Sequence, residues 1–323
     1  MINCAILGLG RWGRSLVKAA EGLERLTISR AVETDLDRAR PFCAEHGIAL
    51  TGDFDAILAD PAIDAVLLAT PHSLHKPQVI AAAAAKKQVF CEKPLALRQS
   101  HASEMFAACR AANVVLAVGH NRRYWPSILA LREIVASGEL GTILHAEGHN
   151  SNENSNVVTQ GWRLSPEESP GGGLTGAGLH VLDTFVSLLG PARQVYARLS
   201  AREAGPPPLD SAMLAIDFRS GVTATLATVR ATPFYWRVHL FGTIGSAEVL
   251  DETTMVVRKS GQPPETKKYP PRDSLKAELE AFADAIEGKQ PFPVREAAVL
   301  ATLAAFEAAL QSMQSGQAAA CDG

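Results

Sequence analysis

The sequence has few cysteines, no long apolar run and no large excess of charge of one sign. Its five cysteines are odd in number and none forms a C-x-x-C pair, which favours free thiols in a reducing compartment. No apolar run reaches the roughly 18 residues that a membrane-spanning helix needs. The formal net charge of −3 argues against nucleic acid or an anionic membrane as a partner.

The chain length predicts more than one domain. Its 323 residues exceed one ordinary hydrophobic core, and its composition, 47% hydrophobic and 20% charged, is that of a soluble globular protein. The opening MINCAILGLG is apolar but has no basic segment and no cleavage site. We therefore expect a strand at the start of the chain, no signal peptide and a cytoplasmic protein.

Short apolar runs alternate with helical patterns over residues 1–118. This alternation predicts βαβ units and a doubly wound, parallel Rossmann sheet covered on both faces. Strands are expected at 3–7, 26–32, 64–69, 88–91 and 114–118, with a weak one near Ile48–Leu50, and helices at 73–86 and 98–112.

The second half has a different pattern, which predicts an α+β domain with a large, open, mostly antiparallel sheet. A helix opened by glycines is expected at 171–190, followed by β-branched strands and two Ala-rich helices. The strands are expected at 193–201, 211–218, 222–229, 234–242, 245–250 and 254–258, the helices at 274–287 and 295–313, and a frayed tail after them. The predicted domains are 1–121 and 122–323.

The motif GLGRWG comes directly after the first predicted strand and opens a helix. Gly8 can form the tight turn, Gly10 lets the backbone approach a pyrophosphate, and Gly13 lets the helix pack close to the sheet. Arg11 and Trp12, between them, are further candidate cofactor contacts. Glu33, at the end of the second strand, can accept hydrogen bonds from an adenosine ribose and repel a 2′-phosphate. The sequence thus predicts NAD in preference to NADP.

The stretch VFCEKP places a lysine at the tip of a buried strand. Ligands of open α/β sheets bind beyond the carboxyl ends of the strands, where Lys93 lies. Pro94 disfavours helical dihedrals at Lys93, and Glu92 points to the opposite side because neighbouring residues of a strand alternate. Both Glu92 and Lys93 are candidate cofactor contacts. We expect Lys93 to donate a hydrogen bond to the oxygen on the carbon that exchanges hydride.

Two other strand ends supply candidate cofactor and substrate contacts. In ATPHSLH (69–75) these are Thr70, Pro71, His72 and His75, although bonding to backbone groups is an equally good interpretation of the two histidines. In GHNRRYWP (119–126) they are Asn121 for the cofactor and Tyr124 for the substrate, and Arg122 is expected near the same crevice.

The glycine-opened helix carries one histidine, His180, off its apolar face. Histidine suits acid–base work near neutral pH. Gly176 lies one turn earlier and leaves room for a substrate, whereas Asp183 lies one turn later. The alternative is a structural histidine bonded to Asp183 or to a backbone carbonyl.

Together, ILGLGRWG, EKP, GHNRRY and GGGxxxxGxHxxD resemble the Gfo/Idh/MocA oxidoreductase family. The resemblance implies hydride exchange between NAD(P) and a sugar, cyclitol or related hydroxy compound, and a homodimer or homotetramer formed through the C-terminal sheet. It implies that Lys93 and His180 are catalytic. Many members have aspartate where this chain has Gly176, which argues against polyol oxidation through an Asp–His relay. The candidate substrate contacts are Tyr124, Asn150, Asn152, Trp162, Arg163, His180 and Tyr235.

Three alternatives stay open beside the dehydrogenase. His145, Glu147 and His149 share one face of a predicted strand and resemble a zinc ligand set, but no fourth ligand is evident and we predict no metal. A non-catalytic NAD(P)-binding sensor is a second alternative. A lyase or hydrolase that oxidises its substrate transiently and returns the hydride is the third.

Overall fold

A computed structural model of the protein describes residues 1–151, 162, 165–201, 210–230 and 232–321. The chain divides into two compact units, each with its own sheet. The first comprises Met1–Asn121 and Asp273–Glu296, and the second comprises Arg122–Arg272 and Ala297–Gly323. The first unit thus includes residues 273–296, which the sequence pattern had assigned to the C-terminal domain.

The first unit contains the predicted Rossmann sheet, and the predicted fold class is confirmed. Its strands are β1 (Ile2–Leu7), β2 (Leu26–Val32), β3 (Ala49–Thr51), β4 (Ala65–Leu68), β5 (Gln88–Glu92) and β6 (Leu116–Gly119). All pair in parallel, in the order β3-β2-β1-β4-β5-β6. The strand order reverses between β1 and β4, which is where open α/β sheets bind ligands.

Helices connect these strands, and their N-termini differ in one informative way. They are α1 (Arg11–Ala20), α2 (Leu36–Glu45), α3 (Phe54–Ala59), α4 (His72–Ala84) and α5 (Gln99–Ala112). The side chain of Asp35 caps α2 and that of Asp53 caps α3. No side chain caps α1, α4 or α5, and none of the three has an acidic residue in its first turn. Of these, α1 directly follows the glycine loop. The N–H groups at the start of α1 are therefore left to bind an anion.

The second unit is built on a mixed, mostly antiparallel sheet. In chain order it contains α6 (Pro126–Ala136), β7 (Ile143–Ser151), α7 (Leu179–Leu189), β8 (Ala192–Ala201), β9 (Asp210–Phe218), β10 (Thr223–Val229), β11 (Tyr235–Gly242), β12 (Gly245–Val249), β13 (Thr254–Lys259) and β14 (Glu265–Lys268). After α8 (Ser274–Ile286), which belongs to the first unit, come α9 (Glu296–Ser315) and β15 (Ala319–Ala320). The strand order is β14-β13-β12-β11-β7-β10-β9-β8-β15, and among the described strands of this second sheet only β7 and β10 pair in parallel.

One face of this sheet packs against α7. A Cβ atom on Gly148 would lie closer than 3.0 Å to Val181 and Phe185 of that helix, so β7 needs glycine at the point of contact. Side chains alternate along a strand. Asn150 therefore shares the face of Gly148, whereas His149 lies on the opposite face.

The helix predicted over 171–190 is interrupted. A π-helical turn, Leu174–Gly178, precedes α7, and the glycines before it contact Asp210 closely. The N–H of Gly173 donates to Oδ1 of Asp210 at 3.1 Å, and a Cβ on Gly172 would lie 2.7 Å from Oδ2. Arg230 completes the contact, with Nε 3.0 Å from Oδ2 of Asp210. Single π-helical turns are frequent at functional sites, and this one directly precedes the helix of His180.

The tail predicted to be frayed continues the sheet instead. Ala319 and Ala320 pair with β8, and the N–H of Cys321 donates to the carbonyl of Arg193 at 2.9 Å.

All five cysteines are buried and none forms a disulfide. Among the described residues, none of the helices combines the length and apolarity that a bilayer crossing requires.

Helix α8 brings a buried carboxyl group to the first unit. Glu278 is 0% exposed, and neither of its oxygens has a hydrogen-bond partner among the described residues. Burial, together with the carboxylates of Glu92 and Asp273, raises the pKa of Glu278 well above its usual range. The N-terminus of α8 is tied to the end of β6, because Asn121 Nδ2 donates to Ser274 Oγ at 3.1 Å.

The raised pKa of Glu278 predicts a pH-dependent stability. The folded state binds this proton more tightly than the unfolded state, so the stability present below the unfolded pKa is lost as pH rises through the folded pKa. Glu278→Gln cannot ionise. Its free energy of unfolding relative to wild type should therefore rise across that window, by up to about 1.4 kcal/mol per pH unit.

Urea unfolding at pH 5 and pH 8 measures this difference. Glu280→Gln, on the same helix but partly exposed, is the matched control and should leave the pH dependence as in wild type. Equal pH slopes for Glu278→Gln and wild type would show that residue 278 does not carry the buried proton.

Candidate functional site

Most of the sequence-predicted cofactor residues lie along one edge of the first sheet. The carboxyl ends of its parallel strands lead into Gly8, Glu33, Thr70, Lys93 and Asn121 in turn. The segments at Gly8, Glu33 and Thr70 are in contact, since a Cβ on Gly8 would meet Ala69 and the Leu9 N–H donates to Glu33. The first unit thus brings together residues that are up to 113 positions apart in the sequence.

Glycine is required at two positions of the GLGRWG loop for steric reasons. Gly8 has φ +88°, and a Cβ there would lie 2.7 Å from the carbonyl oxygen of Ala69. A Cβ on Gly13 would lie closer than 3.0 Å to the carbonyl oxygen of Gly8. By contrast, a Cβ on Gly10 would meet no heavy atom of the described residues within 4 Å, and Gly10 is exposed. Gly8 and Gly13 are therefore needed for the conformation of the loop. Gly10 instead leaves the backbone on the outer surface of the loop uncovered by a side chain.

This arrangement fits a dinucleotide. The loop presents bare backbone at Gly10, and the uncapped N-terminus of α1 directly follows it. Bare backbone and unpaired N–H groups are what a pyrophosphate requires. The loop and the start of α1 can thus hold the NAD(P) that the sequence predicts.

Glu33 supports the same loop from the end of β2. Its Oε2 accepts a hydrogen bond from the Leu9 N–H at 2.8 Å, and its Oε1 accepts one from the Thr34 N–H at 2.9 Å. The carboxylate still has lone pairs for further donors. Glu33 is therefore oriented by the loop and keeps lone pairs for further donors, and its binding of ribose hydroxyls stays a prediction.

Alanine at positions 13 and 10 should separate folding from cofactor binding. Gly13→Ala forces the loop away from the Gly8 carbonyl, so we expect a loss of about 1–3 kcal/mol of unfolding free energy together with weaker NADH binding. Gly10→Ala meets no described atom, so its stability should stay within about 0.5 kcal/mol of wild type. Its Kd for NADH should nevertheless rise at least about tenfold, because the methyl group obstructs the pyrophosphate. Thermal unfolding and NADH fluorescence titration measure the two effects, and wild-type affinity in Gly10→Ala would contradict this assignment.

Lys93 follows β5, and its backbone is fixed by its neighbour. Glu92 is only 5% exposed, and its Oε2 accepts a hydrogen bond from the Lys93 N–H at 3.2 Å. The peptide between Lys93 and Pro94 is cis. Glu92 also packs against the next strand, where a Cβ on Gly119 would lie 2.9 Å from its Oε1. Glu92 thus points into the unit, while Lys93 remains partly exposed.

The loop after β4 is linked to the loop after β5 by His75. The ring of His75 faces backbone carbonyls of both loops, and Thr70 Oγ1 donates to Gln78 Oε1 at 2.6 Å. His72 lies partly exposed at the start of α4, edge-on to His75 with ring centroids 5.8 Å apart.

In the second unit, His180 lies in the first turn of α7 and is 8% exposed. Asp183, one turn later, is bonded to arginine. Arg123 Nε and Nη2 donate to its two oxygens at 2.7 and 2.6 Å, and both side chains are buried. Burial alone would lower the pKa of Arg123, but the Asp183 carboxylate outweighs burial and raises it. This pair fixes α7 at the turn that follows His180.

The other predicted substrate residues of the second unit lie on different elements. Asn150 lies on the α7 side of β7 and donates from Nδ2 to the carbonyl of Ala177 at 2.7 Å. A Cβ on Gly176 would meet no heavy atom of the described residues within 4 Å, so that position has room for a side chain. Tyr124 is buried, in the 3-10 helix Asn121–Tyr124. Trp162 is described but its neighbours are not, and the predicted residues Asn152 and Arg163 lie outside the described residues.

The structure does not bring Tyr235 together with His180. Tyr235 pairs with Ser151 and contacts the ring of His149 at 5.2 Å, so it lies on the sheet face opposite α7. Its neighbour Trp236 lies on the α7 side, where Trp236 and Trp125 each lie 4.3 Å from the guanidinium of Arg122. Burial lowers the pKa of Arg122 to about 9, against the opposing effect of Glu252.

The residues considered as zinc ligands have other partners. Glu147 accepts from Arg237 at 2.6 Å, His145 contacts Thr223 Oγ1 at 2.8 Å, and His149 bonds to Ser151. Within the described ranges, no group of three or more His, Cys, Asp or Glu side chains could hold a metal ion.

Comparison with known proteins gives family matches over both halves of the chain. Residues 2–120 match the family model described as "Oxidoreductase family, NAD-binding Rossmann fold", and residues 128–248 match the GFO/IDH/MocA C-terminal domain.

Individual relatives match over most of their length. A 1,5-anhydro-D-fructose reductase of Ensifer adhaerens is 32% identical over 300 residues, which are 89% of each chain. A 2,7-anhydro-N-acetylneuraminate hydratase of Escherichia coli (strain K12) is 29% identical over 81% of this chain and 71% of its own. The solved structure of levoglucosan dehydrogenase with NADH and levoglucosan has a similar fold, with a TM-score of 0.90 and 22% identity over 100% of both chains.

Proposed function

We propose a function from the family, since the chain belongs to the Gfo/Idh/MocA family of NAD-binding oxidoreductases. The protein transfers hydride between NAD(P) and a CH–OH group of a sugar, cyclitol or anhydro sugar. The observation that carries this proposal is a partly exposed lysine, Lys93, that follows a central Rossmann strand beside a loop built to hold a dinucleotide. Two relatives are named for anhydro sugars, which supports that substrate class.

Four elements of the chain would hold the cofactor. The GLGRWG loop and the start of α1 would bind the pyrophosphate, Glu33 the adenosine ribose, and the loop at Thr70 and Pro71 the nicotinamide side. A carboxylate at position 33 disfavours a 2′-phosphate, so we expect NADH to bind more tightly than NADPH. The bound nicotinamide supplies the hydride acceptor or donor.

Lys93 and His180 would perform the proton chemistry. Lys93 would orient and polarise the reacting oxygen, and His180 would exchange its proton, since an imidazole titrates near neutral pH. The Arg123–Asp183 pair would hold α7 so that His180 keeps its orientation. Asn150, one of the predicted substrate contacts, would support the same site through its bond to Ala177.

A second function is favoured by the hydratase among the relatives. The same residues could oxidise a CH–OH group to a carbonyl, which acidifies the neighbouring C–H bond. Water would then be lost or added across the adjacent bond and the hydride returned. Such a reaction has no net oxidation and leaves the cofactor on the protein.

One experiment separates the two functions. Purified protein is titrated with NADH and NADPH by fluorescence, and separate samples are then mixed with NAD+ or NADP+ and with sugars, cyclitols or anhydro sugars. A dehydrogenase accumulates reduced nicotinamide in proportion to product. A hydratase or lyase forms product with no net absorbance change. Failure to bind either dinucleotide would refute both functions.

We also propose a cytoplasmic homo-oligomer that assembles through the face of the second sheet opposite α7. Met213 and Tyr235 lie on that face and are each 50% exposed. The five free thiols are typical of a reducing compartment. Light scattering of wild type and of Met213→Glu tests the assembly, since a buried glutamate should disrupt it.

A further inference from the structure

The carboxylate of Asp210 lies between the glycine-rich segment that opens the π-helical turn and an arginine. Asp210 begins β9 and is 3% exposed. Its Oδ1 accepts a hydrogen bond from the Gly173 N–H at 3.1 Å, and its Oδ2 lies 3.0 Å from Arg230 Nε. The backbones of the ion pair are bonded as well, because the Arg230 N–H donates to the Asp210 carbonyl at 2.9 Å. The sheet therefore holds this carboxylate in place against the start of the turn.

The glycines before the turn are needed for this contact. Gly172 has φ +56°, in the left-handed region, and a Cβ there would lie 2.7 Å from Oδ2 of Asp210. A Cβ on Gly173 would lie 2.9 Å from Oγ1 of Thr228, which is buried in β10. Both distances are shorter than a methyl group allows. Glycine at positions 172 and 173 thus lets the carboxylate reach the backbone N–H.

The π-helical turn is held by side chains of the second sheet near both of its ends. The carboxylate just described holds its start. Near its end, Asn150 Nδ2 of β7 donates to the carbonyl of Ala177 at 2.7 Å. Between them, the Leu179 N–H donates to the carbonyl of Leu174, five residues earlier, which is the hydrogen bond of a π-helix. A π-helical turn contains one residue more than an α-helical turn, so releasing one attachment lets the segment rewind and shifts the backbone before His180.

We propose that Asp210 is a positioning residue that fixes the π-helical turn and, through it, the backbone that leads into His180. The proposal rests on the proposed role of His180 in proton exchange. Arg123 and Asp183 fix α7 on the far side of His180. Asp210 fixes the chain on the near side, so the histidine lies between two attachments to carboxylates.

Amide hydrogen exchange measured by NMR tests the attachment without any substrate. The N–H groups of Gly173 and Leu179 should exchange slowly in wild type, since both are hydrogen-bonded. Asp210→Ala removes the acceptor and should speed exchange at both amides by about tenfold or more.

Asp210→Asn is the conservative variant, because its amide oxygen can still accept from the Gly173 N–H. It should keep exchange at Gly173 slow, and it decides the matter if the alanine variant does not fold. Wild-type exchange in Asp210→Ala, or fast exchange at Gly173 in Asp210→Asn, would overturn the proposal whether or not the protein proves to be a dehydrogenase.

Kinetics test the positioning. For Asp210→Ala we expect kcat to fall by about tenfold to a hundredfold, as small displacements of a reacting group do. The Kd for NADH should be nearly unchanged, since the residues proposed to hold the dinucleotide lie in the first unit. Asp210→Asn should keep kcat within about twofold of wild type.

Asp217→Ala, on the same strand but partly exposed, is the matched control and should retain wild-type kcat. Faster exchange combined with wild-type kcat in Asp210→Ala would refute the positioning role while leaving the hydrogen bond to Gly173 established.

Discussion

Lys93→Met should lower turnover by about a hundredfold to ten-thousandfold, the usual contribution of one positioned proton-transfer group. Methionine has a similar length and apolar stem but no ammonium, so it removes the donor to the reacting oxygen while preserving the packing. The residues that would hold the dinucleotide are elsewhere, in the glycine loop and at Glu33, so NADH affinity should be nearly unchanged. Stopped-flow measurement of the hydride step, with fluorescence titration of NADH, gives both quantities.

The matched control is Lys18→Met, an exposed lysine on α1 of the same unit. It should leave both turnover and NADH affinity at wild-type values. If Lys93→Met retains turnover within about twofold of wild type, Lys93 has no part in proton transfer. If instead it loses NADH affinity in proportion to turnover, the lysine binds the cofactor rather than the reacting oxygen.

The Rossmann half could be predicted closely because its signals are local. The strand predicted at 26–32 is observed as Leu26–Val32, and that at 88–91 as Gln88–Glu92. Parallel strands buried on both faces appear as continuous apolar runs. The steric needs of Gly8 and Gly13 follow from the tight strand-to-helix turn. Local chemistry therefore sufficed to predict this sheet and its glycine loop.

The sequence could not reveal contacts that depend on distant packing. Arg122 and Tyr124 were expected near the site, yet Arg123, between them, is the residue bonded to Asp183. Arg123 and Asp183 are 60 positions apart, so no periodic pattern in the sequence indicates that they are in contact. The same holds for α8, whose chain segment returns to the first unit and places Glu278 near Glu92.

Two further differences between the sequence predictions and the structure arise from strand register and from a very short strand. Tyr235 was expected at the substrate, but the face on which it lies depends on how β11 pairs with β7, and a shift of one residue would reverse it. The two-residue strand β15 is too short to produce an alternating pattern. Sequence pattern thus predicts the elements, whereas the pairing between elements decides which side chains meet.

The buried ion pair of the second unit should have the largest effect on stability. Asp183→Ala leaves the guanidinium of Arg123 buried without its carboxylate, and breaking such a pair typically costs about 3–5 kcal/mol. Because Asp183 lies one turn after His180, the loss should also release the start of α7. We expect the variant to be either poorly folded or folded with strongly reduced turnover. Urea unfolding and steady-state kinetics measure the two consequences.

Asp217→Ala is the matched control, since Asp217 is partly exposed and pairs at 3.3 Å with Arg193, which is exposed. Solvent screens such a pair, so its loss should cost no more than about 1 kcal/mol. Asp183→Asn separates charge from shape, because the amide keeps the volume of the side chain but can accept only one of the two arginine hydrogen bonds. The proposed role predicts that Asp183→Asn lies between alanine and wild type in stability. Equal costs for Asp183→Ala and Asp217→Ala would mean that the Arg123–Asp183 pair does not hold α7, and His180 would then owe its orientation to the packing of Val181 and Phe185 against Gly148.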